Sequence, residues 1–241
     1  MGLILVAKGE DFNAIAVDRL PITTVTGGLL GLFETRKNSA FSVKNLGSDG
    51  NGTIFGAPVF STASISCDET RGIDFGIMPT GTHTIAAIFK IRADNATTFP
   101  AGNIRDNATT RGAEYFSAST SVKFEATNFN GAGAFTSNAS TTLAKPTAGN
   151  VEMYIARAEN GVRLRLDQPR TGASNEVTVA AGDTFNYPNP YNYSAGSIFS
   201  AAGGFDDFYV FAYWNRSLSD VEITTFYGEV QAHLAKRGVT I

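Results

Sequence analysis

The sequence predicts an all-β fold: two antiparallel sheets packed face to face as a sandwich, sealed by one C-terminal amphipathic α-helix. Three observations predict it. Clusters of Gly, Asn, Asp and Pro recur along the chain and leave stretches of strand length between them. Several of those stretches alternate apolar and polar residues, the period of a half-buried strand. Only the C-terminal stretch carries the three-and-four spacing of a helix. The 241 residues, 43% hydrophobic and 17% charged, suffice for one large domain with a full core and leave no room for a second complete one. The 18 Phe and 25 Gly suit strands joined by turns.

Residues 1–32 show neither period, contain Pro21 and Gly27-Gly28, and read as an N-terminal arm or an edge strand; the sandwich occupies 33–241. From Phe33 onward, breaks fall at 47–52, Pro79-Thr80-Gly81, Asn130-Gly131-Ala132-Gly133, Glu159-Asn160-Gly161, Tyr187-Pro188-Asn189-Pro190 and Gly203-Gly204. Thr82 to Arg92 is apolar almost throughout, as a central strand covered on both faces must be. Asp94-Asn95-Ala96-Thr97-Thr98 recurs as Asp106-Asn107-Ala108-Thr109-Thr110, a pair of exposed turns and no repeat architecture.

The clearest hairpin runs from Val151 to Asp167. Val151, Met153 and Ile155 alternate with Glu152, Tyr154 and Ala156; Asn160-Gly161 supplies the positive φ angles of a tight turn; Val162, Leu164 and Leu166 alternate with Arg163, Arg165 and Asp167. One face of this hairpin is expected in the core and the other in water. A helix is predicted over 220–237. Ser219 caps it, Glu222 completes a capping box, Leu218 and Ile223 form a hydrophobic staple and Gly238 ends it. Ile223, Phe226, Tyr227, Val230 and Leu234 fall on one stripe, which must pack against the sandwich.

A net charge of −3 gives no electrostatic reason to bind nucleic acid. The apolar run Leu3 to Ala7 is not preceded by a basic residue and is closed by Lys8, Glu10 and Asp11, so neither a signal peptide nor membrane insertion is expected. One cysteine, Cys67, cannot form an internal disulfide, and with two histidines it cannot build a Cys/His zinc site; folding in a reducing cytoplasm is the expectation.

The run Trp214-Asn215-Arg216-Ser217-Leu218-Ser219-Asp220-Val221-Glu222-Ile223 resembles the closing segment of concanavalin A-like (laminin G-like) domains, and Gly204-Phe205-Asp206-Asp207 is similar to the turn that introduces the last strand of the same superfamily. The resemblance implies a jelly-roll sandwich of the lectin/glucanase superfamily. It gives Trp214, Asn215, Arg216, Leu218, Ser219 and Glu222 structural roles. A short N-terminal extension before a Ser/Thr/Asn/Gly-rich sandwich further resembles phage or prophage virion components. That resemblance implies a non-enzymatic structural protein of a tail fibre, tail tip or capsid decoration. Such a protein assembles in the bacterial host cytoplasm, works as a homo-oligomer and contacts other virion proteins. The alternative is a carbohydrate-binding module that recognises a host cell-surface glycan.

Glucanases of this superfamily carry a Glu-x-Asp-x-x-Glu strand whose alternation aims carboxylates into one cleft. No such spacing occurs here, and no Gly-x-Ser-x-Gly elbow, so glycoside hydrolysis is the least expected of the three functions. No cofactor is required by the sequence. Calcium is the one metal the resemblance allows, at Asp206 or Asp207. The candidate ligand-binding loop holds Tyr187, Asn189, Tyr191, Asn192 and Tyr193: flat rings for sugar C–H surfaces, amides for hydroxyls, and Pro188 and Pro190 to limit the ordering cost.

Overall fold

The computed structural model describes residues 20, 23–68, 70–94, 97–103, 113–188, 191–196 and 205–241, with the backbone alone at Phe205 and Asp206. Among these, two antiparallel sheets of eight strands each pack face to face. The first sheet contains β1 (Leu29–Glu34), β3 (Val59–Phe60), β4 (Ile65–Cys67), β6 (His83–Lys90), β11 (Val151–Glu159), β12 (Arg163–Gln168), β13 (Ala173–Thr178) and β16 (Phe205–Trp214). The second contains β2 (Thr53–Phe55), β5 (Gly72–Asp74), β7 (Ala101–Gly102), β8 (Glu114–Ala118), β9 (Ser121–Asn130), β10 (Phe135–Ala144), β14 (Asp183–Phe185) and β15 (Ser194–Ala195). Two helices complete the described fold, a single turn α1 (Ser39–Ser42) and the C-terminal α2 (Asp220–Ala235). Strand order is β13-β12-β11-β6-β16-β4-β3 in one sheet, with β1 also on β16, and β10-β9-β8-β7-β15-β5-β2 in the other, with β14 on β9.

The continuous apolar run places β6 at the centre of the first sheet, with seven of its eight residues buried. Alternation decides where each side chain goes. Ile85, Ala87 and Phe89 face the second sheet with Phe116, Val122 and Phe124; Ala86 and Ile88 face outward, where α2 covers them with Ile223, Phe226, Val230 and Leu234. The centre of the first sheet, β6, β11 and β16, is therefore buried on both faces. This corrects the expectation of a wet face on the 151–167 hairpin: Met153 and Ile155 lie under α2 while Tyr154, Ala156 and Ala158 line the inter-sheet core. Polar residues reach the surface at the end of the hairpin, where Glu159, Arg163 and Arg165 are half-buried, and on the edge strand β13, where Ser174, Asn175, Glu176 and Thr178 are exposed. In the hairpin turn only Gly161 takes a positive φ, 72°. Asn160 instead uses its side-chain oxygen to accept from the backbone N–H of Phe185 at 2.7 Å.

The helix begins as its sequence dictates, with both halves of the capping box formed between Ser219 and Glu222. It ends in a Schellman motif: Val239 N–H donates to the Leu234 carbonyl and Gly238 N–H to that of Ala235, with Gly238 at φ 73°. The strand β1 crosses residue 32, so the chain enters the first sheet before the boundary expected there. The described part of 1–32 belongs to that sheet and its outer core, through Leu20, Val25, Leu29 and Leu32. Among the described residues no helix is long and apolar enough to cross a membrane.

Candidate functional site

The closing segment is built into the structure at every position. Trp214 is fully buried, donates its indole N–H to the Val25 carbonyl at 2.8 Å and meets Phe226 edge-on at 4.9 Å. Asn215 N–H donates to the Gly28 carbonyl at 2.9 Å. Arg216 forks onto Glu222 through Nη1 at 3.1 Å and Nη2 at 2.5 Å while Nε donates to the Gly27 carbonyl. Leu218 is buried beneath, its N–H held by Thr84 Oγ1 at 3.0 Å. That fork and the Ser219 backbone hold the Glu222 carboxyl down at about 2.

The calcium expectation meets a different donor set. Asp207 Oδ1 accepts from the hydroxyls of Ser64 at 2.9 Å and Ser66 at 3.2 Å, and Lys90 Nζ stands 3.6 Å from Oδ2. An ammonium already balances this carboxylate, and hydroxyl hydrogens point at the oxygen that a cation would need, so Asp207 does not fit calcium. The Asp206 side chain lies outside the described residues, and among those described no three His, Cys, Asp or Glu converge.

Tyr187 and Tyr193 of the candidate loop turn inward. Tyr193 is 1% exposed because its backbone pairs with the Phe75–Ile77 segment, through Tyr193 N–H to the Ile77 carbonyl and Phe75 N–H to the Tyr193 carbonyl. Its hydroxyl donates to Glu114 Oε1 at 2.6 Å, and His83 Nε2 meets the same oxygen at 2.6 Å. Tyr187 sets its ring edge against His83 at 5.9 Å with its hydroxyl buried, and Tyr213 stacks on the imidazole at 5.3 Å. The result is a closed polar cluster joining β6 of one sheet to β8 of the other. Tyr191 and Asn192 are half-buried; Asn189 lies outside the described residues. Tyr193 therefore offers no stacking face, and the loop's aromatic content seals the end of the sandwich.

On the outer face of the second sheet, which no helix covers among the described residues, polar and aromatic side chains stand together. Strand register places one row across it, Asp74, Ser194, Gly102, Tyr115, Glu125 and Ser140, of which Ser194 and Gly102 are buried and Tyr115, Glu125 and Ser140 form the accessible part. The next row carries Ser117, Lys123 and Thr142. Gly102 is required beneath Tyr115, because a Cβ there would come within 2.4 Å of the Tyr115 Cβ. Phe99 meets the half-buried Tyr115 ring edge-on at 5.3 Å. Burial first, then the adjacent Glu125 carboxylate, raises the Tyr115 phenol above its usual range. Lys123 and Ser140 are exposed.

No family model matches the sequence, and no curated relative is found at the sequence level. Solved structures are similar. The receptor-binding domain of botulinum neurotoxin D superposes with a TM-score of 0.62 at 9% identity, covering 85% of this chain and 53% of that one. The ligand-binding domain of botulinum neurotoxin serotype D in complex with N-acetylneuraminic acid gives 0.59 at 8% identity, over 83% and 51%. Domain 4 of AbnA, a GH43 extracellular arabinanase from Geobacillus stearothermophilus, in complex with arabinotriose, gives 0.57 at 12% identity, over 83% and 98%. The shared fold is a two-sheet antiparallel β-sandwich. The chain spans about half the length of the neurotoxin domains and nearly all of the arabinanase domain. Within this sandwich the residues on the outer face of the second sheet carry only a weak sequence signal. Tyr115, Lys123 and Glu125 sit at alternating positions, but nothing local says that their face of the strand stays uncovered.

Proposed function

We propose that this chain is a non-catalytic glycan-binding module that lays a saccharide across the outer face of its second sheet. The row Tyr115–Glu125–Ser140, flanked by Phe99, Lys123 and Thr142, carries the proposal. Aromatic rings supply C–H stacking surface, the carboxylate accepts hydroxyl hydrogens, the ammonium donates, and the hydroxyls do both. The similar structures solved with N-acetylneuraminic acid and with arabinotriose support a saccharide as the ligand class. A binding role is further supported by the spacing of the acids on the face. Asp74 and Glu125 stand four strands apart in the same row. At a strand spacing of about 4.8 Å that is about 19 Å, well beyond the ~5–9.5 Å that separates the paired carboxylates of glycosidases.

The virion setting is the finer part of the proposal. The module would be carried as a homo-oligomer on a phage tail fibre, tail tip or capsid, attached through other virion proteins. Immunogold electron microscopy of particles carrying this chain tests it: label on tail or capsid supports the setting, and label absent from particles removes it. Glycan-array screening followed by calorimetry tests the binding face. Tyr115→Ala is expected to weaken the best ligand by about tenfold, ~1.4 kcal/mol, with the fold retained by circular dichroism. Tyr191→Ala is expected to leave binding unchanged. The reverse outcome would move the site to the loop.

A further inference from the structure

The outer face of the second sheet carries a further aromatic pair, four residues along β9 from Glu125. Phe124 and Ala126 are inner positions of this strand, so Thr127 and Phe129 share the outer side with Glu125. Phe129 is 6% exposed, and Phe135 on β10 lies edge-on against it at 6.2 Å while keeping 38% of its own surface exposed. The register of β10 slips between Phe135 and Ser137. At this bulge the Thr136 hydroxyl donates to Asp183 Oδ2 on β14 at 2.7 Å, which pins the bulge and with it the Phe135 ring. Between Phe135 and the row of Tyr115 stand Asn138 and Ser140, both exposed, while Ala139 between them faces the inter-sheet core. Neither Asn138 nor Ser140 spends its side chain on another described residue. The accessible path from Tyr115 to Phe135 therefore runs past Glu125, Ser140 and Asn138, with an aromatic ring at each end.

We infer that the ligand of this face is a linear oligosaccharide bound along its length, with one ring on Tyr115 and another on Phe135. The inference rests on the sheet-face reading and adds to it the length of the ligand and the way it lies. Spacing decides the class. Four residues along β9 and two strand steps across it set the two aromatic platforms about 16 Å apart. Ring contact holds centroids about 4.5–7 Å apart, so a single sugar ring reaches one platform and never both. A lone terminal sugar leaves Phe135 and Asn138 unused, whereas a chain continuing past Tyr115 uses each. The hydroxyls of the intervening rings meet the Ser140 hydroxyl and the Asn138 amide, which supply donors and acceptors without giving up an existing partner.

The test is a dependence on chain length. The full chain is screened against arabinan, β-glucan and N-acetylglucosamine oligosaccharides of one to six residues, and calorimetry then compares the disaccharide and hexasaccharide of the best backbone. The hexasaccharide is expected to bind about tenfold more tightly or better. Phe135→Ala should weaken the hexasaccharide by about tenfold, to the level of the disaccharide, with the circular dichroism unchanged. Asn138→Ala, which removes an exposed side chain outside the bulge, should weaken it severalfold and covers the case that Phe135→Ala disturbs the fold. Equal affinity for the two lengths, or hexasaccharide binding unchanged in both variants, overturns the extended ligand; a loss in Tyr115→Ala then still upholds the sheet-face reading. Hexasaccharide binding untouched by Tyr115→Ala, or binding to none of these oligosaccharides, overturns both.

Discussion

At the scale of single residues, Glu114 has the largest consequence. It is fully buried, and one oxygen serves both the Tyr193 hydroxyl and His83 Nε2. His83 Nδ1 meets the Thr80 carbonyl at 2.5 Å, and a carbonyl can only accept, so that nitrogen carries a hydrogen. A proton therefore sits in the His83–Glu114 contact as well, shared between two groups that no water reaches. Removing the carboxylate strands the imidazole and a hydroxyl in the core. Glu114→Ala is expected to cost about 3–5 kcal/mol in urea unfolding, and Tyr193→Phe only about 1–2 kcal/mol. Folded Tyr193→Phe should leave the proposed glycan binding as in the wild type. If Tyr193→Phe lost binding while keeping its stability, the inward placement of this tyrosine would be wrong. None of this was legible in the sequence, because His83 and Glu114 are 31 residues apart and are joined only by the pairing of two sheets.

At the scale of elements, the C-terminal helix was legible almost to the residue, because its signals are local: a capping box, a staple, an apolar stripe and a C-terminal glycine. What the sequence did not disclose is the polar dock on its inner side. Glu34 of β1 accepts from Arg36 Nε at 2.7 Å and also pairs with Arg237, while His233 faces the same carboxylate at 3.3 Å. Burial, then the charges of Arg36 and Lys236, pushes the His233 imidazole down to about 4. In the unfolded chain it titrates near ~6.5. Between these values the unfolded state takes up a proton that the folded state refuses, so stability must fall as pH drops through that window. The loss should be on the order of 2 kcal/mol. A second decline follows below about pH 4.3 as Glu222, ionised in the fold down to about 2, resists protonation that the unfolded chain accepts. Urea midpoints measured against pH in wild type and His233→Gln check the assignment. The variant is expected to lose the upper decline and keep the lower one; an unchanged upper decline would place its origin elsewhere.

At the scale of the whole molecule, the two sheets are unequal, and the inequality separates structure from function. The centre of the first sheet is apolar on both faces, so it needs a cover; the second is apolar on its inner face and carries polar residues on its outer one, where Lys123 and Ser140 are exposed. Alternation made the sandwich predictable but misjudged the 151–167 hairpin. By alternation Glu152 marks a wet face and Met153 marks the core. In a sheet covered on both sides each of these occupies a protein interior, and only the helix packing tells which. The same logic makes α2 a lid whose loss cannot be absorbed. Ending the chain after Ser217 would bare Ala86, Ile88, Met153, Ile155, Val210 and Trp214 as one contiguous apolar patch of a kind that soluble monomers rarely expose. The truncated chain is expected to aggregate on expression or to bind a hydrophobic dye strongly. The milder Phe226→Ala should stay soluble and cost about 3–5 kcal/mol. A truncated chain that proved soluble, monomeric and native in its near-ultraviolet dichroism would mean that the first sheet's outer face is stable in water. The asymmetry on which the proposed binding face rests would then be lost.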